Sequence, residues 1–209
     1  MNINKPNRGV LTEKYVLSKI FNIERQLEGS NRPAATRTLA ILRRGAGHPP
    51  GRIADAWVYA FDNCPEQLLG DEGYISDEER TIYLMLTLYA LHRQGQQKPM
   101  HAEGGLSLGS AMYAVAQTGG DLSPSMPSAF KSLMNATSAE EIGYYLRQCI
   151  TRIKGQQIVL DYKKLTRQML AFQNPYQRDF VRLQWSRDYA YALGQANRTK
   201  ENKQDEETT

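Results

Sequence analysis

The sequence is poor in the residue types that usually announce chemistry. Its 209 residues include two cysteines, Cys64 and Cys149, and three histidines, His48, His92 and His101. The cysteines stand far apart without Cys-x-x-Cys spacing, which argues against a disulfide framework or a cysteine zinc site and predicts buried free thiols. The histidines lack the paired spacing of metal ligands, so no metal site is predicted. No Walker A, Gly-x-Gly-x-x-Gly or His-Glu-x-x-His pattern calls for a nucleotide or a catalytic zinc, and no cofactor is predicted. No run of about 18 apolar residues exists, so neither a membrane-spanning helix nor a membrane partner is expected. The opening MNINKPNRGVLTEKY lacks the apolar core of a signal peptide, and a cytoplasmic location is expected. Strict period-two alternation and Asn-Gly or Asp-Gly hairpin turns are missing as well, which argues against a sheet-built fold.

What the sequence has instead is helical periodicity. TEKYVLSKIFNIERQLEG sets Val16, Ile20, Ile23 and Leu27 on one stripe, with Thr12 as the candidate N-cap and Gly29 as the stop. NRPAATRTLAILRRG has Pro33 in its first turn. SDEERTIYLMLTLYALHRQG and SAEEIGYYLRQCITRIKG both open with capping boxes, Ser76 with Glu79 and Ser138 with Glu141. DYKKLTRQMLAFQ starts from Asp161, PYQRDFVRLQWSRDYAYALGQ starts from Pro175, and shorter helices are expected around 52–62, 107–117 and 127–135. The prediction is an all-α protein of roughly nine helices in two small bundles, residues 1–100 and 101–195. Between them RQGQQKPMHAEGG, residues 93–105, reads as the hinge. Residues 196–209 carry no apolar residue beyond Ala196 and are expected to be disordered.

One stretch resembles a catalytic signature. Gly105-Leu106-Ser107-Leu108-Gly109 fits the Gly-x-Ser-x-Gly nucleophile elbow. An elbow needs a strand before the serine, and QQKPMHAEGG has no strand character. All three histidines precede Ser107, so the serine–acid–histidine order fails too. Ser107 is therefore read as the N-cap of the next helix, with Gly109 allowing close helix packing. The acidic DEGYISDEER sits where a helix begins, and its carboxylates favour the helix dipole.

Charge is unevenly spread. Residues 1–70 hold ten Lys/Arg against six acids, residues 71–130 three against seven, and residues 131–187 ten against four. Two basic segments flanking an acidic one suggest a face for a polyanion. Arg37, Arg43 and Arg44 lie on one early helix. Arg147, Arg152 and Lys154 share a later one, followed by Lys163, Lys164 and Arg167, then Arg178, Arg182 and Arg187. Aromatics are interleaved: Tyr144, Tyr145, Tyr162, Phe172, Tyr176, Trp185, Tyr189 and Tyr191. At helical spacing, Phe172, Val181 and Trp185 read as core, while others are candidates for stacking on unpaired bases. No zinc finger or basic zipper is present, so any nucleic acid would be held by its phosphates, without sequence preference.

In order along the chain, RTLAILRRGAG, Trp57, GLSLGSAM, LRQCITRI, LDYKKLTRQMLAFQ and the spaced Val181, Trp185 and Tyr189 resemble the CasB family. This family is the small subunit of the type I-E CRISPR surveillance complex, Cascade. The likeness runs from about residue 37 to 190, and Tyr162 stands where the family often has tryptophan. The resemblance implies a non-catalytic subunit that pairs head to tail with a second copy and contacts the backbone and large subunits. Such a subunit lines the path of the opened target DNA and helps hold the displaced strand, while guide RNA reads the sequence. It also implies that GLSLG is architectural. Carried over by position, the nucleic-acid-binding candidates are Arg43, Arg44, Lys98, Arg147, Arg152, Arg167 and Arg178, with Arg80 a weaker match behind three acids. The alternative from the residues alone is a helical adaptor whose charges meet acidic protein surfaces.

Overall fold

The computed structural model describes residues 7–118 and 125–207, with side chains described as far as Arg198. Among these residues nine α-helices follow one another: α1 (Arg8–Glu28), α2 (Arg32–Gly45), α3 (Ala54–Phe61), α4 (Asp77–Arg93), α5 (Leu108–Gln117), α6 (Ser128–Asn135), α7 (Ala139–Gly155), α8 (Tyr162–Gln173) and α9 (Pro175–Glu207). One short strand, β1 (His101–Leu106), lies between α4 and α5.

The helix starts follow from local chemistry. Both capping boxes form: the Ser76 and Ser138 hydroxyls accept the Glu79 and Glu141 N–H groups, and each glutamate reaches back to its cap residue. Asp161 accepts the Lys164 N–H and starts α8. α1 begins a turn earlier than expected. The Asn7 side chain accepts the N–H groups of Gly9 and Val10, and Thr12, inside the helix and fully buried, donates to the Arg8 carbonyl.

α4 is the central helix. Ile82, Tyr83, Met85, Leu86, Leu88, Tyr89 and Ala90 are buried on every side of it, the pattern of a helix surrounded by others. It touches α1, α2, α3, α7 and α8, while α1 also reaches α8. One hydrophobic cluster therefore runs from Tyr15 to Tyr189. α9 packs along α5 and α8, and Trp185, wholly buried, donates from its indole to Gln168 Oε1 at 2.9 Å. Phe172 and Val181 are buried too, as the spacing predicts, and so are Tyr162 and Tyr189, whose burial removes them from the candidates for base stacking. Gly109 lets α5 approach α9: a Cβ there would run into the Trp185 carbonyl.

The segment between α4 and α5 differs from its sequence reading, because it contains a strand. Leu106 N–H donates to the Val159 carbonyl at 3.1 Å, Leu160 N–H to Met100 at 3.2 Å and Asp161 N–H to Leu106 at 3.0 Å. The pairing rests on bridges from His101 and Leu106 to the single residue Leu160, too short for alternation to register in the sequence. Gly105 faces Leu160 so closely that a Cβ would lie 2.8 Å from the Leu160 carbonyl carbon.

Among the residues with described side chains, Ala196 is the last that packs against the core, although the sequence reading begins the disordered tail there. Helical backbone continues to Glu207 through glutamate, lysine and glutamine, all strong helix formers. Both cysteines are free; Cys149 is buried and Cys64 only half-buried. Burial pushes the Cys149 thiol up to about 12 and the Cys64 thiol up to about 11. Among the described residues no helix is long and apolar enough to cross a membrane.

Candidate nucleic-acid interface

Ser107 comes directly after β1 and before α5, so the strand-then-helix order of an elbow is present, contrary to the sequence reading. Its chemistry is nevertheless that of a cap. Ser107 Oγ accepts the Ser110 N–H at 3.3 Å and donates to Ser110 Oγ at 3.1 Å, and Ser110 Oγ donates on to the Asp188 carbonyl in α9. Two of the histidines are engaged elsewhere: His101 Nδ1 accepts the Tyr162 N–H, and His92 Nδ1 meets the Tyr162 hydroxyl at 3.2 Å. The acids at the start of α4 are likewise occupied. Asp77 pairs with Arg80, Glu78 accepts two N–H groups from Arg8, and Glu79 accepts those of Gly70 and Ser76. Among the described residues no three ligating side chains converge on a metal position.

The cations separate into those with internal partners and those without. Arg167 donates to Glu13 Oε2 from Nε and from its terminal nitrogen, at 3.1 and 2.7 Å, and so ties α8 to the nearly buried carboxylate of α1. Lys163 pairs with Glu103 at 2.8 Å and Lys164 with Asp188 at 2.9 Å. Arg178 donates to the carbonyls of Phe172 and Gln173, closing the end of α8. Arg178 and Arg182 both lie against the Phe172 ring, at 5.6 and 5.8 Å.

Arg43, Lys98, Arg147 and Arg152 have no carboxylate partner among the described residues. Arg44 has one, Asp55 at 3.0 Å, but both groups are well exposed, and such pairs contribute about 0–1 kcal/mol and exchange readily with solvent. Two of the unpaired cations, Arg43 and Arg147, lie near the end of α2. Arg147 lies along the turn that follows Arg43 and Arg44: a Cβ on Gly47 would meet its Cδ at 2.5 Å. Two turns on from Arg147 along the same face, Lys154 Nζ donates to Gln94 Oε1, and Gln96 Nε2 donates to the Lys154 carbonyl. Gln94 and Gln96 in turn line a groove of about 450 Å³ with Arg32, Arg43 and Arg93, and Lys98 follows directly. Arg152 is exposed but projects from α7 about 140° away from Arg147.

The groove also holds Glu24 and Glu28, so its potential is not uniform. Arg93 neutralises Glu24, donating to it at 2.9 Å and also to the Gln96 carbonyl. Arg32 was missed in the sequence, although the signal is there: it stands eleven residues before Arg43, three helical turns, and so shares its face.

The described residues form a mostly helical protein whose cations line a groove, and comparison with known proteins gives its family. Residues 38–189 match the model of the CRISPR-associated protein Cse2. The chain belongs to the Cse2 family of CRISPR-associated proteins. Two solved structures share the fold. CasB from Thermobifida fusca is 26% identical with a TM-score of 0.70, covering 86% of this chain and 97% of its own. A Cse2-family CRISPR-associated protein from Thermus thermophilus is 22% identical with a TM-score of 0.59, covering 84% and 97%. Comparison with curated proteins gives no match.

Proposed function

We propose that this chain is the small subunit of a type I-E Cascade complex, a non-catalytic helical scaffold that holds nucleic-acid backbone and steadies the opened target DNA in antiviral defence. The displaced strand is its principal ligand, and its protein partners are a second copy of itself and the backbone and large subunits. The observation that carries the reading is that exposed Lys98 and Arg147 and half-buried Arg43 lack carboxylate partners among the described residues, Arg43 lining the groove beside the end of α4 and Arg147 lying along the turn after α2, in a chain of the Cse2 family. Arg44 extends this surface, and Arg152 offers a separate contact on another face of α7. The surface straddles residue 100, where the chain divides into its two proposed bundles. Arg167 and Arg178 serve it indirectly, by fixing α8. Contacts of this kind are sequence-blind and weaken with salt as counterions are released.

The test is fluorescence anisotropy of a labelled mixed-sequence DNA strand titrated with salt. Binding is expected to fall with salt, and Lys98→Ala with Arg147→Ala is expected to flatten the log–log slope by about 0.7 per cation removed. An unchanged slope in that double variant overturns the assignment of the surface. Loss of subunit assembly with DNA affinity intact would instead support the adaptor reading.

A further inference from the structure

Among the described residues, nothing packs on one face of α9. While Val181, Trp185 and Tyr189 turn inward, Tyr176, Phe180, Leu183 and Tyr191 are exposed, Tyr176 at 96%. These four, with Arg187 and Arg198, fall within about 80° of one another around the helix. Along its axis Phe180 follows Tyr176, and Tyr191 follows Arg187, at intervals of about 6 Å. No carboxylate enters that sector between residues 176 and 198: Asp179 stands at its edge holding Arg182 at 2.8 Å, and Asp188 lies across the helix holding Lys164. Arg187 and Arg198 are exposed and have no hydrogen-bonded or ionic partner among the described residues.

We propose that this stripe stacks the bases of an unpaired nucleic-acid strand on Tyr176, Phe180 and Tyr191, with Arg187 and Arg198 meeting its phosphates. The inference rests on the nucleic-acid reading above and adds a second, base-contacting surface to the backbone-contacting one. Two features select a strand over a protein. The apolar side chains run in single file along one convex helix, whereas a stable protein interface needs about 800 Å² from each partner. Tyr176 and Phe180 are followed by Arg187, Tyr191 and Arg198, with no carboxylate in the sector between residues 176 and 198, which suits a ligand that carries flat apolar faces together with negative charge. Base stacking on aromatic side chains tolerates any sequence, in keeping with a subunit that leaves sequence reading to guide RNA.

The experiment uses the full chain and two labelled strands of equal length, one mixed-sequence DNA and one abasic, with the same number of phosphates. The wild-type protein is expected to prefer the base-bearing strand. Phe180→Ala and Tyr191→Ala are each expected to weaken that strand's binding by about tenfold and leave the abasic strand unchanged. Phe180→Leu, which keeps apolar bulk but no ring, is expected to behave like Phe180→Ala. Both rings are exposed, so circular dichroism melting should show the variants folded as wild type. Equal, salt-sensitive binding of both strands by the wild-type protein overturns base stacking and leaves the backbone-holding function standing. No binding to either strand at low salt overturns both. Variants that bind DNA normally but lose the other subunits assign the stripe to a protein partner and overturn the proposal.

Discussion

His92 shows what burial does to a single titratable side chain. It is wholly inaccessible near the end of α4, and burial holds its imidazole down to about 4; Lys154 acts in the same direction and the backbone of Ile158 against it. An unfolded histidine titrates near 6.5. Between those values the unfolded chain takes up a proton that the folded chain refuses, so stability is intact above about pH 6.5 and declines as pH falls toward 4. The loss from this residue is about 3 kcal/mol across the window. Urea unfolding at pH 7 and 4.5 should show it, and His92→Gln should unfold with a flatter pH dependence over that interval. At this scale the sequence was legible at four local caps, Ser76, Ser107, Ser138 and Asp161, though not at Thr12, which lies inside α1 behind its actual cap Asn7. Arg167 was not, because its partner Glu13 lies 154 residues away. Arg178 was not either, because it binds backbone carbonyls, which every sequence offers equally.

For the elements, the closest approach in the fold is the crossing of α5 and α9 at Gly109. Alanine there would add a methyl group against the Trp185 carbonyl, which belongs to a buried helix backbone and cannot rotate away. Overpacking costs about 1–3 kcal/mol, partly offset by alanine's better helix propensity. Gly109→Ala is therefore expected to lower the urea midpoint, for a net loss of about 1–2 kcal/mol in unfolding free energy. Gly143→Ala is the control: its Cβ would meet Leu84 at an ordinary 3.8 Å, and a gain of up to about 1 kcal/mol is expected. All nine helices were legible because a 3.6-residue period repeated over several turns is a strong signal. β1 was not, since two bridges to one residue leave no period to read.

Across the whole molecule, α4 belongs to both halves of the chain. It packs on α1, α2 and α3 from the first half and on α7 and α8 from the second. Neither half can lose its structure without exposing the other's apolar side chains, including Tyr83, Met85 and Tyr89. A single cooperative transition is expected, with far- and near-ultraviolet circular dichroism melting together; separate transitions would mean that the shared core does not couple the halves. Sequence periodicity located these helices but not their neighbours, because which stripe meets which depends on contacts between distant residues such as α1 with α8.

The stitching of β1 to Leu160 bears on how costly it is to meet a partner. Arg43 and Lys98 come before that connection and Arg147 lies within the chain it closes, and its hydrogen bonds hold the segment that follows Lys98 in place while the protein is still alone. A loose linker would have to be immobilised on association, an entropic penalty that subtracts directly from affinity. Here that ordering is completed during folding, so a ligand spanning the junction need quiet only a few long side chains, and the remaining disorder to be lost is its own.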